Sequence, residues 1–211
     1  MEATTDERLM VWQFLRRYFV RIVIGSVLAV AVYGLLTVWM PYQREQRIAR
    51  EIRLQGGDVA IRNFGPNWMP QSVKGRLPCF YRIWDVRFPV QVESTKLLSE
   101  LGLLTSLKVL RLDHTQVTDT GLGQLKGLTS LELLDLGNTQ VTDAGLEDLK
   151  GLTGLEGLDL SCTQVTDAGL EHLKGLPSLK WLRLGNTQVA AEGRSMLRKA
   201  LPGCRIFPED D

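Results

Sequence analysis

From residue 104 onward, apolar and polar positions repeat every 24 residues. Leu104, Leu128, Leu152 and Leu176 open successive units, and Leu107, Leu131, Leu155 and Leu179 follow in register. The pairs Leu110/Leu112, Leu134/Leu136, Leu158/Leu160 and Leu182/Leu184 come next, then Thr115, Thr139, Thr163 and Thr187. VTDTGL begins at Val117, and VTDAGL begins at Val141 and again at Val165. The unit is LxxLxxLxLxxTxVTDxGLxxLxx, an internal repeat of solenoid length. Two leucines separated by one residue share a side of a strand, because side chains alternate. After VTD the spacing changes: Leu122 and Leu125, or Leu146 and Leu149, are three apart, which suits one face of a short helix. The threonine or aspartate of each VTD (Thr118 or Asp119, Thr142 or Asp143, Thr166 or Asp167) is placed to cap that helix. Gly127, Gly151 and Gly175 are placed to end it. Each unit reads as strand, turn and helix, and none can bury its leucines without stacked neighbours.

The pattern degrades at both ends. Stepping back by one period from Leu107, Leu110 and Leu112 gives Ile83, Val86 and Phe88. Residues 80–103 therefore read as a degenerate first unit, with larger aromatics over the open end. At the other end VTD becomes Val189-Ala190-Ala191, and Arg194 replaces a helix leucine. The segment Leu201–Phe207 reads as a last edge strand. Divergent ends suit a finite solenoid, whose terminal cores would otherwise face water.

Upstream the pattern is different. Residues 22–40 (IVIGSVLAVAVYGLLTVWM) form a run of 19 without a charge. As a helix this run spans roughly 28 Å, close to the hydrocarbon thickness of a bilayer. Arginines flank it (Arg16, Arg17, Arg21 and Arg44), and Trp12, Tyr18, Trp39 and Tyr42 stand where interfacial aromatics stand. It lacks the short apolar core and Ala-x-Ala-like site of a cleaved signal peptide, so an uncleaved signal anchor is expected. Basic residues are balanced on its two sides. The short N-terminal tail points to an exported repeat domain. Residues 42–55 (YQREQRIAREIRLQ) read as a charged helix stopped by Gly56-Gly57. Its arginines read as a solvated face or, alternatively, as lipid-headgroup contacts. DVAIR then alternates like a short strand, and NFGPNWMP is a turn-rich loop.

Composition narrows the function. With 25 Lys+Arg against 24 Asp+Glu, the chain has no long-range field for nucleic acid or for anionic lipid. Cys79, Cys162 and Cys204 form no disulfide framework, and no CxxC pair or close histidine pair supports a metal. Cys162 stands where other units have Asn138 and Asn186, and reads as a small, nearly buried thiol. No GxSxG, HExxH, P-loop or GxGxxG is present, and His114 and His172 fall at variable repeat positions. No catalytic residue, cofactor, metal or small-molecule substrate is expected. Lys126, Lys150 and Lys174 read as a solvated helical face with Glu147 and Glu171.

The repeat resembles the leucine-rich-repeat membrane proteins abundant in planctomycete bacteria, and is similar to the cysteine-containing repeats of eukaryotic F-box proteins. Gly56-Gly57-Asp58-Val59 and Gly65-Pro66-Asn67-Trp68 after an apolar span fit the bacterial group, and no F-box precedes the repeats. The resemblance implies an α/β leucine-rich-repeat solenoid, with a parallel sheet on its concave face and short helices on its convex face, after one transmembrane helix. The expected division is a tail (1–21), the membrane helix (22–40), a juxtamembrane helix and N-terminal cap (41–79), repeats (80–199) and a C-terminal cap and tail (200–211).

On such a sheet, residues beside the buried leucines face outward. One column is Arg87, Arg111, Asp135, Asp159 and Arg183; the other is Asp85, Val109, Leu133, Gly157 and Trp181. The fold does not require their identity, so a protein partner is expected here. Trp181 beside Arg183 is the expected anchor, and Leu133 adds apolar surface. The competing reading is a solvated column whose opposite charges pair between strands. A self-associating envelope component and an F-box-like adaptor are the alternative functions.

Overall fold

The computed structural model describes residues 24–26, 28, 29, 32, 33, 40–63, 81–88 and 95–208. The chain divides into two compact units, Met1–Gln43 and Arg44–Asp211. In the first, the described residues between 24 and 33 are helical, and Ile24, Leu28 and Val32 are exposed. Most of the expected span 22–40 lies outside the described residues. Among those described, no helix is long and apolar enough to cross a membrane.

The second unit is built on a seven-stranded sheet whose spatial order follows the chain. The strands are β1 (Asp58–Asn63), β2 (Tyr81–Arg87), β3 (Val109–Arg111), β4 (Leu133–Asp135), β5 (Gly157–Asp159), β6 (Trp181–Arg183) and β7 (Arg205–Phe207). From β2 to β7 all pairings are parallel, with Val86, Leu110, Leu134, Leu158, Leu182 and Ile206 opposite one another in turn. That register is the 24-residue period made visible. It places the degenerate first unit and the last edge strand where the sequence reading expects them. Only β1 runs antiparallel to its neighbour, through an irregularity between Ala60 and Ile61.

The helices between strands are short: α2 (Thr95–Leu101), α3 (Asp119–Gly123), α4 (Asp143–Leu146), α5 (Asp167–Leu173) and α6 (Ala191–Ala200). A 3-10 turn, Glu147–Gly151, extends α4. The longer α1 (Met40–Leu54) precedes β1. Every leucine of the repeat pattern between 104 and 184 is buried, and the core runs unbroken from Ile48 to Ile206. Ile48, Ala49 and Ile52 of α1 belong to it, whereas Leu54 is exposed.

Polar groups are repeated as faithfully as apolar ones. Thr115, Thr139 and Thr163 are buried, and their hydroxyls donate to the carbonyls of Leu112, Leu136 and Leu160, each at 2.6 Å. Thr187 repeats the bond to Leu184 at 2.7 Å. A residue with φ between 55° and 58° precedes each of these threonines: His114, Asn138, Cys162 and Asn186. The left-handed turn brings the amides of His114, Asn138 and Cys162 onto the carbonyls of Gly137, Ser161 and Gly185, each at 2.8 Å. The chain thus reverses direction without orphaning a donor.

The aspartates of VTD require a correction. They do not cap their own helices. Thr142 and Thr166 cap α4 and α5 by accepting the amides of Ala144 and Ala168. Asp119 reaches across to the next unit, accepting Thr142 N–H at 2.8 Å and Thr142 O–H at 2.7 Å. Asp143 does the same to Thr166 at 2.8 and 2.6 Å, and Asp167 accepts Ala190 N–H at 2.8 Å. The aspartate of one unit therefore holds the capping residue of the next. The glycine of VTDxGL makes room for it: a Cβ at Gly145, Gly169 or Gly193 would collide with Oδ1 of Asp119, Asp143 or Asp167.

Candidate protein-interaction face

The central residue of each strand from β3 to β6 is buried, so its two neighbours point to the opposite, open face of the sheet. The structure brings the predicted residues together on that face. Arg87, Arg111, Asp135, Asp159 and Arg183 stand opposite one another on successive strands, and Phe207 ends the column. Asp85, Val109, Leu133, Gly157, Trp181 and Arg205 form the second column. Adjacent strands lie about 4.8 Å apart, so the six positions of one column span roughly 24 Å.

Much of the charge is paired within the face. Arg111 donates to both carboxylate oxygens of Asp85 at 2.6 Å. Arg183 meets Asp159 at 3.3 Å. Beside the strands, Lys108 pairs with Glu132 at 2.7 Å and Lys180 with Glu156 at 2.6 Å. Such pairs contribute little individually where they are exposed. They hold the register of neighbouring units and leave few free charges at the centre of the face.

The two central aspartates depart from the expectation that the fold leaves their identity open. Asp135 Oδ1 accepts Gly137 N–H at 3.0 Å, and Asp159 Oδ1 accepts Ser161 N–H at 2.9 Å. Each closes the turn that follows its strand, and Asp159 is buried. Burial is the main cause that raises the Asp135 pKa above the ordinary aspartate value. The Gly137 amide pulls it back, the neighbouring charges of Asp113 and Asp159 push it further up, and Arg111 lowers it.

The apolar part of the face is organised around a missing side chain. A Cβ at Gly157 would collide with the Trp181 indole, so the ring lies across the glycine. The Arg183 guanidinium stands 5.5 Å from the ring centroid, within cation–π range. Val109, Leu133 and the indole thus follow one another in the second column. Val109 is buried, whereas Leu133 and Trp181 are each partly exposed. Arg87, at one end of the first column, and Arg183, next to Phe207 at the other, are exposed. Gly157 was predicted only as one position of a column. Its signal in the sequence is that the one unit lacking a side chain there precedes the unit carrying the largest.

On the helical side, the lysine column is largely paired as expected. Lys150 meets Glu147 at 3.4 Å and Lys174 meets Glu171 at 2.5 Å, while Lys126 pairs with Asp148 of the next unit at 2.9 Å. The Cys162 thiol is partly exposed and accepts from Asn186 Nδ2 at 3.5 Å, so it is less buried than the sequence reading expects. Cys204 is buried, which pushes its thiol pKa up to about 11. Cys79 lies outside the described residues. Among the described residues, no group of three or more His, Cys, Asp or Glu side chains is placed to hold a metal ion.

Residues 105–151 match leucine-rich repeats in two copies, and residues 153–174 match a further leucine-rich repeat. Among solved structures, a leucine-rich-repeat protein of Leptospira interrogans is 25% identical, with a TM-score of 0.41 over 51% of this chain and 33% of that one. This chain therefore spans about a third of the length of that protein. The leucine-rich-repeat ectodomain of the receptor kinase SOBIR1 from Arabidopsis thaliana is 16% identical, with a TM-score of 0.43 over 78% of this chain and 96% of that one. An internalin from Listeria monocytogenes is 17% identical, with a TM-score of 0.36 over 60% and 47%. No curated protein matches the sequence. The stacked units between residues 105 and 174 are leucine-rich repeats.

Proposed function

We propose that this chain is a single-pass membrane protein whose leucine-rich repeats bind a protein partner on the open face of the sheet, outside the cytoplasm. The observation that carries the binding reading is the pair of partly exposed apolar residues Leu133 and Trp181, which flank Gly157 in one column. A large indole is spread over Gly157, partly exposed, on a face that does not contribute to the core. Packing on Gly157 orders the ring, which lowers the entropy lost when a partner covers it, and the Arg183 guanidinium stands 5.5 Å from its centroid. Flat aromatic surface beside arginine is the composition of an interface anchor. The membrane reading is supported by the uncharged run 22–40 and by exposed Ile24, Leu28 and Val32, which recur every four residues and so share one helical face.

Affinity capture with the detergent-solubilised full chain tests the binding reading. A specific partner should be retained by the native chain and by a helical-side control, Lys126→Ala with Lys150→Ala. It should be lost with Trp181→Ala plus Arg183→Ala. Equal retention by all three proteins would rule out the open face. Labelling single cysteines placed near Asp211 in intact cells tests the orientation.

A further inference from the structure

We propose that the outer face of α1 rests on an anionic lipid surface through its arginines. This rests on the membrane reading above and deepens it, naming a second contact between the protein and the bilayer.

The helix has two unlike faces. Glu45, Ile48, Ala49 and Ile52 are buried, and they fall within one half of its circumference. Arg44, Arg47, Arg50 and Arg53 are all exposed and recur every three residues. At 100° per residue this spacing winds them across the other half. One carboxylate, Glu51, shares that half, and the second carboxylate of the segment, Glu45, is turned inward. Arg47 reaches Glu100 at 3.4 Å but keeps 69% of its side chain exposed. Arg44, Arg50 and Arg53 have no ion-pair partner among the described residues. Leu54 ends the same face and is 75% exposed.

Four guanidinium groups and an apolar residue on a half-packed helix are the pattern of an interfacial basic helix. Position in the chain selects the occupant. Arg44 follows the uncharged run 22–40 by four residues, so the arginines begin within a few ångströms of where that run would leave the hydrocarbon. Guanidinium forks match phosphate geometry bidentately. Each arginine at an anionic surface contributes about a fivefold gain in affinity. An upright α1 would carry Arg53 about 14 Å beyond Arg44, past the Debye length at physiological salt, so contact by all four requires the helix to lie along the surface.

The test uses the full chain with vesicles of phosphatidylcholine alone, or with about a third phosphatidylglycerol to supply surface charge. Two readings are taken: association resistant to alkaline extraction, and amide hydrogen exchange over residues 40–54. The proposal expects exchange at least threefold slower on anionic vesicles than on neutral ones. High salt should abolish the difference, as should the variant Arg44→Gln/Arg47→Gln/Arg50→Gln/Arg53→Gln, which alters only exposed positions. Resistant association with both vesicle types and identical exchange would keep the anchor and overturn the arginine contact. Salt-sensitive binding to anionic vesicles alone, with slowed exchange, would keep the contact and overturn the anchor. Binding to neither overturns both.

Discussion

The middle of the solenoid and its N-terminal end face the same problem and solve it with different chemistry. In the middle, each unit is sealed by a copy of itself. Leucine meets leucine across strands, and the aspartates Asp119 and Asp143 each hold the capping threonine of the next unit. At the N-terminal end no copy is available. There β1 pairs antiparallel to β2, and α1 lays Ile48 and Ile52 over the core. A buried carboxylate, Glu45, replaces the missing neighbour by accepting Ile83 N–H at 3.0 Å. Repetition lets one solution serve many times, whereas an end needs a solution of its own. Four sets of substitutions break or sharpen this contrast.

The largest effect belongs to the middle. Leu158 is the middle residue of β5, with its neighbours Leu134 and Leu182 fully buried on either side. Leu158→Ala leaves a cavity that neither neighbour can fill without losing its own register. The expected cost is about 3–5 kcal/mol, read by chemical denaturation. Because repeat units are stabilised chiefly by their neighbours, the loss should lower cooperativity as well as the midpoint. An unchanged midpoint would mean that the leucine stack is not the source of cohesion.

Glu45 comes next, and it separates hydrogen bonding from charge. Its pKa is raised from the ordinary 4.5, first by burial, with the Ile83 amide and Arg82 acting in the opposite direction. Arg82 Nη1 stands 3.6 Å away, beyond hydrogen-bond reach, and finds no other hydrogen-bond partner among the described residues. Glu45→Ala strands Ile83 N–H and should cost about 1.5–3 kcal/mol. Glu45→Gln keeps an acceptor and should retain most of that. The sign with pH follows from the raised folded value. The fold holds the proton more tightly than the unfolded chain does, so this group's contribution is full below pH 4.5 and is lost as pH rises through the raised pKa. Thermal melts of the native chain and Glu45→Gln should therefore diverge in favour of the variant as pH increases from 4 to 8.

These two sites also mark what the sequence discloses. A period of 24 repeated four times specifies the strands, their register and the buried leucines, because every copy restates the same constraint. Even Val86 and Phe88 are legible by stepping back one period. Glu45 has no copy, and nothing in a charged helix announces a carboxylate on the packed side, although its spacing from Ile48, Ala49 and Ile52 puts it there. The VTD aspartates show a subtler limit. Their position at a helix start suggests capping, yet the bond that forms crosses to the next unit, and intra-unit spacing cannot show a contact between units. The open face follows the same rule. Its columns were legible from periodicity, whereas the indole over Gly157 and the turn-closing roles of Asp135 and Asp159 depend on side-chain directions.

The aspartate ladder gives a graded comparison within the middle. Asp143 accepts both the amide and the hydroxyl of Thr166, whereas Asp167 accepts the Ala190 amide and no hydroxyl from that residue, since alanine supplies none. Asp143→Ala should cost about 2 kcal/mol and Asp167→Ala less than about 1 kcal/mol. Gly169→Ala should also destabilise, because its Cβ meets Asp143 Oδ1. With Asp143 removed, the same alanine meets only Leu146 Cδ1, at 3.0 Å, and its cost should fall, since alanine suits a helix better than glycine. A double-mutant cycle by urea denaturation should thus show coupling of about 0.5–3 kcal/mol between positions 143 and 169. Additive costs would mean that the glycine serves another purpose.

The smallest effect tests whether the units are copies down to their backbone. His114, Asn138, Cys162 and Asn186 share a left-handed turn near φ 57°, but they are not equally suited to it. Asparagine tolerates that region because its short amide bonds locally, while a cysteine there bears the steric cost of its Cβ against the carbonyl. The Cys162 thiol offers little in return, a weak acceptor 3.5 Å from Asn186 Nδ2 on a partly exposed site. Cys162→Asn should therefore stabilise the chain by about 0.5–1 kcal/mol, seen as a higher melting temperature. Cys162→Gly should relieve the same strain but give some of the gain back through unfolded-state entropy. If asparagine brings no gain, or if alanine at the same position is as stable as asparagine, the local amide bond does not offset strain at this turn, and the units are alike in side-chain packing without differing in backbone energy.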